Sequence, residues 1–387
     1  MKKLFLASAV SALFAAPTTV LAQARPGAVP TLDKVLEASG ISVSGYIDAG
    51  YTHADRNIEA MAAVGPAPRV FDTQNNSFGL NQFGLTIAKQ PKAGFGGLVN
   101  LTVGRDAQFI HSSPEGAATG VPTNTSMFDV TQAYAQYARG KLTLIAGKFV
   151  TLQGSEVIWS PTNPNISHSI LFGSIPFTHT GVRGAWTLND QVTFYAGLNN
   201  GWDQLTDQNR PKTVELGASL NPVKPLTVML SAYSGKEVFT PGGVGVPAGT
   251  RTSFNAVASY TISDPLSVGV EVLQVSQEIP GAATNKPKYN GVALYGTYMF
   301  TPKYRGVLRY ESFNDNDGLR FGPALPLALA SNKYKEVTVT GAYLPADNFE
   351  MRAEVRRDSA TNPVFPEFAG PLSKSLMTLA LQGLYKF

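Results

Sequence analysis

Charged and apolar side chains alternate near the end of the chain, and this pattern has the most chemical content. From residue 350 to residue 356, acids and arginines at even positions alternate with Met351, Ala353 and Val355. Successive side chains of a β-strand point to opposite faces, so the segment predicts a strand with one charged and one apolar face. Because burial of unpaired charge is costly, the charged face does not suit a dry sandwich core. It suits a water-filled interior, where its charges act on passing ions and dipolar solutes.

The same alternation recurs in segments 212–221, 225–236 and 266–274. Its parity predicts which side chains point toward the water-filled interior. The charged members of this predicted pore lining are Asp106, Arg183, Glu215, Glu271, Arg305, Arg309, Glu311, Arg352, Glu354 and Arg356.

Arginines cluster on two predicted strands, 303–314 and 347–358, whereas Glu215 and Glu271 belong to distant strands. Arginine on one wall and carboxylate on another would create a transverse field, which favours a weak preference for anions. The alternative is that these charges neutralise one another as pairs that contribute little.

Turns and loops set the number of strands. From Ile41 onward, seven short turns rich in Gly, Pro, Asn and Asp alternate with eight longer loops, which together join sixteen strands. No other element remains to cover the apolar faces, so they must meet lipid, where every backbone N–H and C=O needs a partner. The predicted fold is therefore all-β: a single closed antiparallel transmembrane β-barrel of 16 strands, residues 41–387, with short periplasmic turns and long extracellular loops.

Aromatic residues are expected to form two girdles, one at each membrane interface. Near the short turns lie Phe95, Tyr137, Trp186, Phe194, Tyr260, Phe300, Tyr304, Tyr343, Phe349 and Tyr385. Near the long loops lie Tyr51, Phe78, Phe109, Phe128, Phe149, Trp202, Tyr233, Phe254, Tyr289, Phe313 and Tyr334. The alternative is that strands simply carry aromatic residues at arbitrary positions.

The longest loop, residues 151–176, is the best candidate for a segment that folds inward and narrows the channel. It is polar and nearly neutral, so it can line a pore without carrying much charge inside. Its predicted constriction residues are Glu156, Trp159, Asn163, Asn165 and His168. The alternative is an ordinary outward surface loop.

The first residues read as a secretory signal peptide. Lys2 and Lys3 precede an apolar run that is too short to span a membrane, and small residues at 20–24 fit a cleavage site. We therefore expect a signal peptide at 1–24 and an N-terminal segment with a short helix at 25–40. Loss of the leader leaves 29 of the 31 basic residues against 27 acidic ones, which argues against nucleic-acid binding.

The chain has no cysteine, which excludes disulfides, thiolate metal sites and a Cys nucleophile. The four histidines are His53, His111, His168 and His179, and no Gly-x-Ser-x-Gly motif accompanies them. We expect no metal site, no cofactor and no enzymatic activity. A non-conducting barrel for surface adhesion or envelope anchoring remains the alternative to a channel.

Two features point to a known class of protein. The chain ends with Tyr385 and Phe387, which resembles the assembly signal of outer-membrane barrels. Residues 39–48 and 147–182 resemble the OmpL-like β-barrel porins. The resemblance is carried by the start Ser39-Gly40-Ile41 and by Gly147-Lys148-Phe149, Gly154-Ser155-Glu156-Val157, Asn163, Asn165, Ser167, Ser169 and Pro176-Phe177-Thr178-His179-Thr180-Gly181-Val182.

The resemblance implies an outer-membrane channel without enzymatic activity. Together with the residue pattern, it predicts a passive diffusion channel for small hydrophilic solutes, located in the cell outer membrane. The expected partners are membrane lipid, lipopolysaccharide, the barrel-assembly machinery and the solutes themselves. A homotrimer is one candidate assembly, because sixteen-stranded porins resembling this chain often associate in this way, and a smaller assembly or a monomer is the alternative.

Overall fold

Sixteen antiparallel strands close into one barrel, in which each strand pairs with its neighbours in the chain. The computed structural model describes residues 32–61, 68–112, 126–207, 209–239, 246–280, 286–322 and 331–387. The predicted signal peptide, 1–24, lies outside the described residues. The strands are β1 (Ser42–Ala54), β2 (Ser77–Lys89), β3 (Gly94–Val103), β4 (Phe128–Arg139), β5 (Leu142–Val150), β6 (Thr178–Asn189), β7 (Val192–Asn199), β8 (Thr213–Val223), β9 (Leu226–Phe239), β10 (Val246–Ser263), β11 (Leu266–Gln277), β12 (Lys288–Thr301), β13 (Tyr304–Asp315), β14 (Asn332–Ala346), β15 (Phe349–Ala360) and β16 (Ser375–Lys386).

The barrel closes between its first and last strands, where Ile47 of β1 lies opposite Tyr385 of β16. Closure leaves no open sheet edge, so the backbone groups of all sixteen strands find partners within the sheet. The connections alternate between tight turns, such as the one after β4 at Gly140 and Lys141, and longer segments, such as 151–177 after β5. Gly140 has a φ of +59°, which a residue without a Cβ adopts most readily. The predicted closed 16-strand antiparallel barrel is confirmed.

Helical structure is minor. Helix α1 (Leu32–Ser39) precedes β1, and helix α2 (Ala107–Ile110) follows β3. Three short 3-10 turns lie at Ile58–Ala60, Ser160–Thr162 and Phe172–Ser174. No helix within the described part of the chain is both long and apolar enough to cross a membrane.

The two faces of the sheet differ in polarity, as the alternation requires. In β15, Arg352, Glu354 and Arg356 are buried inside the barrel, whereas Met351 and Val355 are exposed on its outer surface. In β8, Glu215 is fully buried, whereas Leu216 is 56% exposed. The outer surface therefore presents aliphatic side chains to lipid, and the charged side chains point inward.

Aromatic residues at the two ends of the barrel behave differently. Near the short turns, Phe95, Trp186 and Phe300 are exposed on the outer surface, as a girdle requires. Near the long loops, Phe78, Phe128 and Phe254 are likewise exposed. The prediction of a complete second girdle is wrong, because seven of its members are buried: Phe109, Phe149, Trp202, Tyr233, Tyr289, Phe313 and Tyr334.

Five of these rings belong to apolar clusters inside the long-loop end of the barrel: Trp202, Tyr289, Phe313 and Tyr334 to the largest, and Phe109 to another. In the largest cluster, Leu171 and Ile175 of the segment between β5 and β6 pack with Leu273 of β11, Phe313 of β13 and Tyr334 of β14. Removing such side chains from water favours this arrangement by roughly 1.5–3 kcal/mol for each one that is fully buried. The buried aromatic residues near the long loops thus help to hold an inward segment, whereas Phe78, Phe128 and Phe254 lie on the outer surface.

Candidate functional site

The segment 151–177 (hereafter the inner loop) lies inside the barrel. It leaves the end of β5 and returns to the start of β6, where Thr151 N donates to Phe177 O at 3.0 Å. Only Ser155 and Thr162 of this segment are exposed, and every residue from 167 to 177 is buried. A buried backbone must find partners for its N–H and C=O groups, so the contacts of the inner loop show how it is held.

Wall carboxylates accept hydrogen bonds from the backbone of the inner loop. Glu354 of β15 accepts from the N–H groups of Ile166 at 2.7 Å and Ser167 at 3.0 Å. Glu311 of β13 accepts from the N–H groups of Ile170 at 2.8 Å and Leu171 at 3.0 Å. Each carboxyl group accepts from two consecutive amides, so β13 and β15 together fix the middle of the inner loop.

Arg309 of β13 completes this attachment. Its Nη1 donates to the carbonyl oxygen of Ser167 at 2.5 Å and lies 2.9 Å from Glu156 Oε1, and its Nε lies 2.6 Å from Glu336 Oε1. The guanidinium is fully buried and bridges the wall to the only acid of the inner loop. A buried cation of this kind is tolerated because its donors are satisfied by carboxylates and carbonyls.

Arg352 of β15 makes a second bridge. Its Nη1 donates to the carbonyl oxygens of Asn165 at 3.1 Å and Ser160 at 3.3 Å, while its Nε lies 2.6 Å from Glu350 Oε1. Asn165 in turn donates from Nδ2 to Thr340 Oγ1 at 2.7 Å. The predicted wall residues Arg309 and Arg352 therefore contact the predicted loop residues Glu156 and Asn165, whereas Glu311 and Glu354 contact other residues of the inner loop.

The inner loop is also held by its own side chains. Asn163 accepts from Val157 N at 2.9 Å and donates to Val157 O at 2.6 Å, and Glu156 accepts from Ser169 N at 2.7 Å. The His168 ring lies 4.3 Å from the ring of Phe172, and its Nε2 lies 2.9 Å from Asn163 Nδ2. Burial lowers the pKa of His168 below its ordinary value, so the imidazole is neutral near pH 7.

Trp159 points to a different wall. Its Nε1 donates to Asn100 Oδ1 of β3 at 3.1 Å, and the side chain is half-buried. The inner loop therefore crosses the interior from β3 to β15, instead of lying flat against one wall. This placement leaves less open width than an empty sixteen-stranded barrel would have.

A second segment also enters the barrel, and the sequence reading missed it. Arg69, between β1 and β2, donates to the carbonyl oxygen of His168 at 2.7 Å and forms an ion pair with Asp358 of β15. Asp72 forms an ion pair with Arg356. Burial raises the pKa of Asp72, but Arg356 and Arg69 outweigh burial and hold the pKa below its ordinary value. Nothing in the local sequence distinguishes these two residues from ordinary surface charges.

The remaining predicted residues also lie inside but do not join this cluster. Arg183 pairs with Glu215, with Nη2 at 2.9 Å from Oε2, and its guanidinium carbon lies 4.3 Å above the Phe149 ring. Glu271 accepts from the N–H of Ser155 at 2.9 Å. Asp106, at the start of α2, accepts from Gln82, and Arg305 pairs with Glu350, the same acid that pairs with Arg352.

Charge is distributed differently from the predicted separation of arginine and carboxylate. Arginines and carboxylates alternate on the same strands and pair with each other, as Arg309 does with Glu336 and Arg356 with Asp358. Among the residues that the structure describes, no group of three or more His, Asp or Glu side chains is placed to hold a metal ion. The arrangement can hold a loop across a polar passage and present paired charges to passing solutes.

Known structures share this architecture. A trimer form of in-vitro folded OmpT from Vibrio cholerae is 12% identical, with a TM-score of 0.58. The matched region covers 90% of this chain and 99% of the OmpT chain. The outer-membrane channel DcaP of Acinetobacter baumannii is 14% identical, with a TM-score of 0.59, and the matched region covers 90% of this chain and 97% of the DcaP chain. An anion-selective porin from Comamonas acidovorans is 10% identical, with a TM-score of 0.58, and the matched region covers 90% of this chain and 99% of the porin chain. At these identities the likeness shows the fold alone.

The comparison at the level of sequence families is more specific. No curated protein matches this sequence. A family model, "Putative beta-barrel porin-2, OmpL-like", matches residues 40–387, which is nearly the whole chain. The closed barrel with an apolar exterior and a charged interior is the structure expected of such a family. The chain therefore belongs to the OmpL-like β-barrel porin-2 family.

Proposed function

We propose that the protein is a passive diffusion channel for small hydrophilic solutes. The observation that carries the proposal is a closed barrel whose outer face is aliphatic and whose inner face holds buried, paired charges around an inward loop. Lipid on one side and water on the other account for both faces, and membership of a porin family supports the same reading. Single-channel conductance of the refolded protein in planar bilayers tests the proposal, and the expected result is discrete ohmic openings.

The inner loop is proposed to form the constriction, with Glu156, Trp159, Asn163, Asn165 and His168 as its main polar and aromatic members. The ten predicted charged residues, which run along the chain from Asp106 to Arg356, are proposed either to line the passage or to hold the inner loop that lines it. Ser155 and Thr162, the two exposed residues of the inner loop, are the ones best placed to touch a solute.

Weak anion preference is part of the proposal and has a specific location. Arg305 and Arg352 share one oxygen of Glu350, which leaves an excess of positive charge at that level of the wall. The cluster around Arg309 favours cations instead, because Arg309 and Arg69 are grouped there with three acids, Glu156, Glu311 and Glu336. Reversal potentials under a salt gradient measure the balance, and clear cation selectivity would overturn the anion preference without affecting the channel itself.

A second candidate, a non-conducting barrel for adhesion or envelope anchoring, is favoured by one observation. Two segments, the inner loop and the stretch around Arg69, occupy the interior at the same level. Liposome swelling with small sugars and amino acids separates the candidates. Swelling supports the channel, whereas a correctly folded protein that gives neither swelling nor conductance supports the second candidate.

Location and assembly are proposed on the same basis. A leader at 1–24 would carry the chain across the inner membrane to the outer membrane, and Tyr385 and Phe387 at the end of β16 would be read by the barrel-assembly machinery. A homotrimer is proposed because one structural neighbour is a trimer form. No cofactor and no catalysis are proposed, and replacement of exposed His53 by Ala should leave conductance unchanged.

A further inference from the structure

Three cations stand on the outer face of two neighbouring strands, beside the long connections. Lys333 and Lys335 flank the buried Tyr334 on β14, and Arg357 follows the buried Arg356 on β15. Because successive side chains of a strand point to opposite faces, all three cations point away from the interior. All three side chains are exposed.

The strand register brings these side chains together. Lys335 lies opposite Ser359, and Arg357 lies opposite Val337, so Lys335 and Arg357 are diagonal neighbours across the β14–β15 pair. Diagonal neighbours are about 7–8 Å apart, and residues two apart on one strand are about 7 Å apart. The three charges therefore form one patch, small enough to be reached together by a single multiply charged group.

Among the described residues, no acid forms an ion pair with this patch. Within the described ranges, no ion pair includes Lys333, Lys335 or Arg357, and the adjacent Asp358 points inward, where it pairs with Arg69 and Arg356. Cations this close repel one another, so an anion placed among them would relieve the repulsion. Lys236 of β9 and Lys288 of β12 are also exposed near the long connections, but among the described strands only β14 and β15 bring three outward cations together.

An aliphatic surface continues directly from the patch toward the middle of the barrel. Val337 and Val339 of β14, Val355 of β15 and Met377 of β16 are all exposed on the outer face. A cationic patch bordered by lipid-facing aliphatic side chains matches a molecule with phosphate groups at one end and acyl chains at the other. A free phosphate ion would use only the first of these features.

We propose that Lys333, Lys335 and Arg357 bind the phosphate groups of an outer-leaflet glycolipid of the lipid A type, whose acyl chains lie along Val337, Val339 and Val355. The site is independent of conduction, because none of its residues points into the barrel. It requires only that the long connections lie at the outer surface of the membrane.

Binding of purified diphosphorylated lipid A to the full refolded protein tests the proposal. The test variant combines Lys333→Gln, Lys335→Gln and Arg357→Gln. The matched control is Lys236→Gln, which removes an exposed outward lysine from β9, on another part of the barrel. We expect affinity to fall about fivefold for each patch charge removed and to be unchanged in the control.

Two further arms make the test decisive. Dephosphorylated lipid A should bind the parent and the triple variant equally, and inorganic phosphate should not compete at concentrations comparable to those of the lipid. A combined Lys333→Arg, Lys335→Arg and Arg357→Lys variant should bind like the parent, which separates charge from folding. Equal affinity of the parent and the triple variant for the phosphorylated lipid would overturn the proposal, as would effective competition by inorganic phosphate alone.

Discussion

Two walls of the barrel hold the inner loop in different ways. The wall formed by β13, β14 and β15 holds residues 160–171 through two carboxylates and two buried arginines, which also pair with acids on the same wall. A neighbouring part of the wall, formed by β10 and β11 and separated from β13 by β12, holds residues 153–155 through neutral groups and one carboxylate. Its contacts are Gln153 Nε2 to Ser253 Oγ at 3.0 Å, Gly154 N to Asn255 Oδ1 at 3.0 Å and Ser155 N to Glu271.

The difference shows what the charges are for. On the arginine-containing wall, Glu311 and Glu354 each accept from two loop amides, while Arg309 and Arg352 donate to loop carbonyl oxygens, so several directional contacts fix the loop. On the wall formed by β10 and β11 (hereafter the neutral wall), single and mostly neutral hydrogen bonds hold the loop less firmly. The main role of the charged interior side chains is thus to hold the inner loop in place. Their electric field in the passage is a secondary effect.

The largest expected effect comes from removing the central cation of the charged wall. Arg309→Met would leave Glu156 buried without its ion-pair partner and Glu336 with Arg69 alone, and breaking a buried pair in this way costs about 3–5 kcal/mol. The free energy of unfolding in lipid vesicles, measured by urea titration, should fall by this amount. Arg357→Met, on the outer surface of β15, is the control and should change it by about 0.5 kcal/mol or less. Equal losses in the two variants would contradict the assigned role of Arg309.

The next effect compares one carboxylate from each wall. Glu354→Ala removes the acceptor of two loop amides, and Glu271→Ala removes the acceptor of one. Each hydrogen bond to a charged group contributes about 1.5–3 kcal/mol, so Glu354→Ala should destabilise the protein more and should also increase single-channel conductance. If Glu271→Ala increases conductance as much as Glu354→Ala does, the two walls hold the loop equally and the comparison fails.

A third test concerns the end of the inner loop, which is held by Asp203, a carboxyl group without an ion pair in the part of the chain that the structure describes. Asp203 accepts from the N–H groups of Phe177 at 2.7 Å and Thr178 at 2.8 Å. Burial raises the pKa of Asp203 to about 7, so folding favours its protonated form. This contribution to stability is present at acidic pH and is lost as pH rises from the ordinary carboxyl pKa toward about 7.

Asp203→Asn should remove that pH dependence, since an amide oxygen can still accept both bonds. The unfolding free energy of the variant relative to the parent should rise by up to about 1.4 kcal/mol per pH unit between about pH 4 and pH 7, and then stay level. Urea titrations at several pH values measure the difference. A difference that does not change with pH would show that Asp203 is ionised throughout.

The smallest effect is expected on the neutral wall. Gln153→Ala removes one neutral side-chain hydrogen bond, to Ser253, and should lower the free energy of unfolding by about 1 kcal/mol. Conductance should stay at the parent value, because the charged wall still fixes the middle of the loop. A loss of stability comparable to that of Glu354→Ala would remove the distinction between the walls.

Much of the fold was predictable because alternation is a strong signal when a strand separates lipid from water. In β15, the order of charged and aliphatic residues was enough to place Arg352 and Glu354 inside and Val355 outside. Sixteen strands followed from turn residues whose geometry is local. The inward position of these side chains needed no knowledge of any distant contact.

The errors also have physical causes. Phe313 has the same parity as Arg309 and Glu311 on β13, so alternation alone places it inside the barrel. It was assigned to the outer girdle because it lies near a long loop. Trp202 lies in a connection where no alternation applies. Arg69 reaches Asp358, 289 residues away, and such a contact depends on how a long loop folds back, which no local pattern encodes.

Cross-linking of the inner loop to the wall tests the central claim most directly. The chain has no cysteine, so Asn165→Cys with Thr340→Cys places the only two thiols where Asn165 Nδ2 and Thr340 Oγ1 are 2.7 Å apart. Asn165→Cys with Val339→Cys is the matched control, because Val339 faces lipid. A short thiol cross-linker should join the first pair rapidly in the refolded protein and should not join the second. Failure of the first pair in a folded barrel, or equal cross-linking of both, would show that the inner loop does not lie against the charged wall.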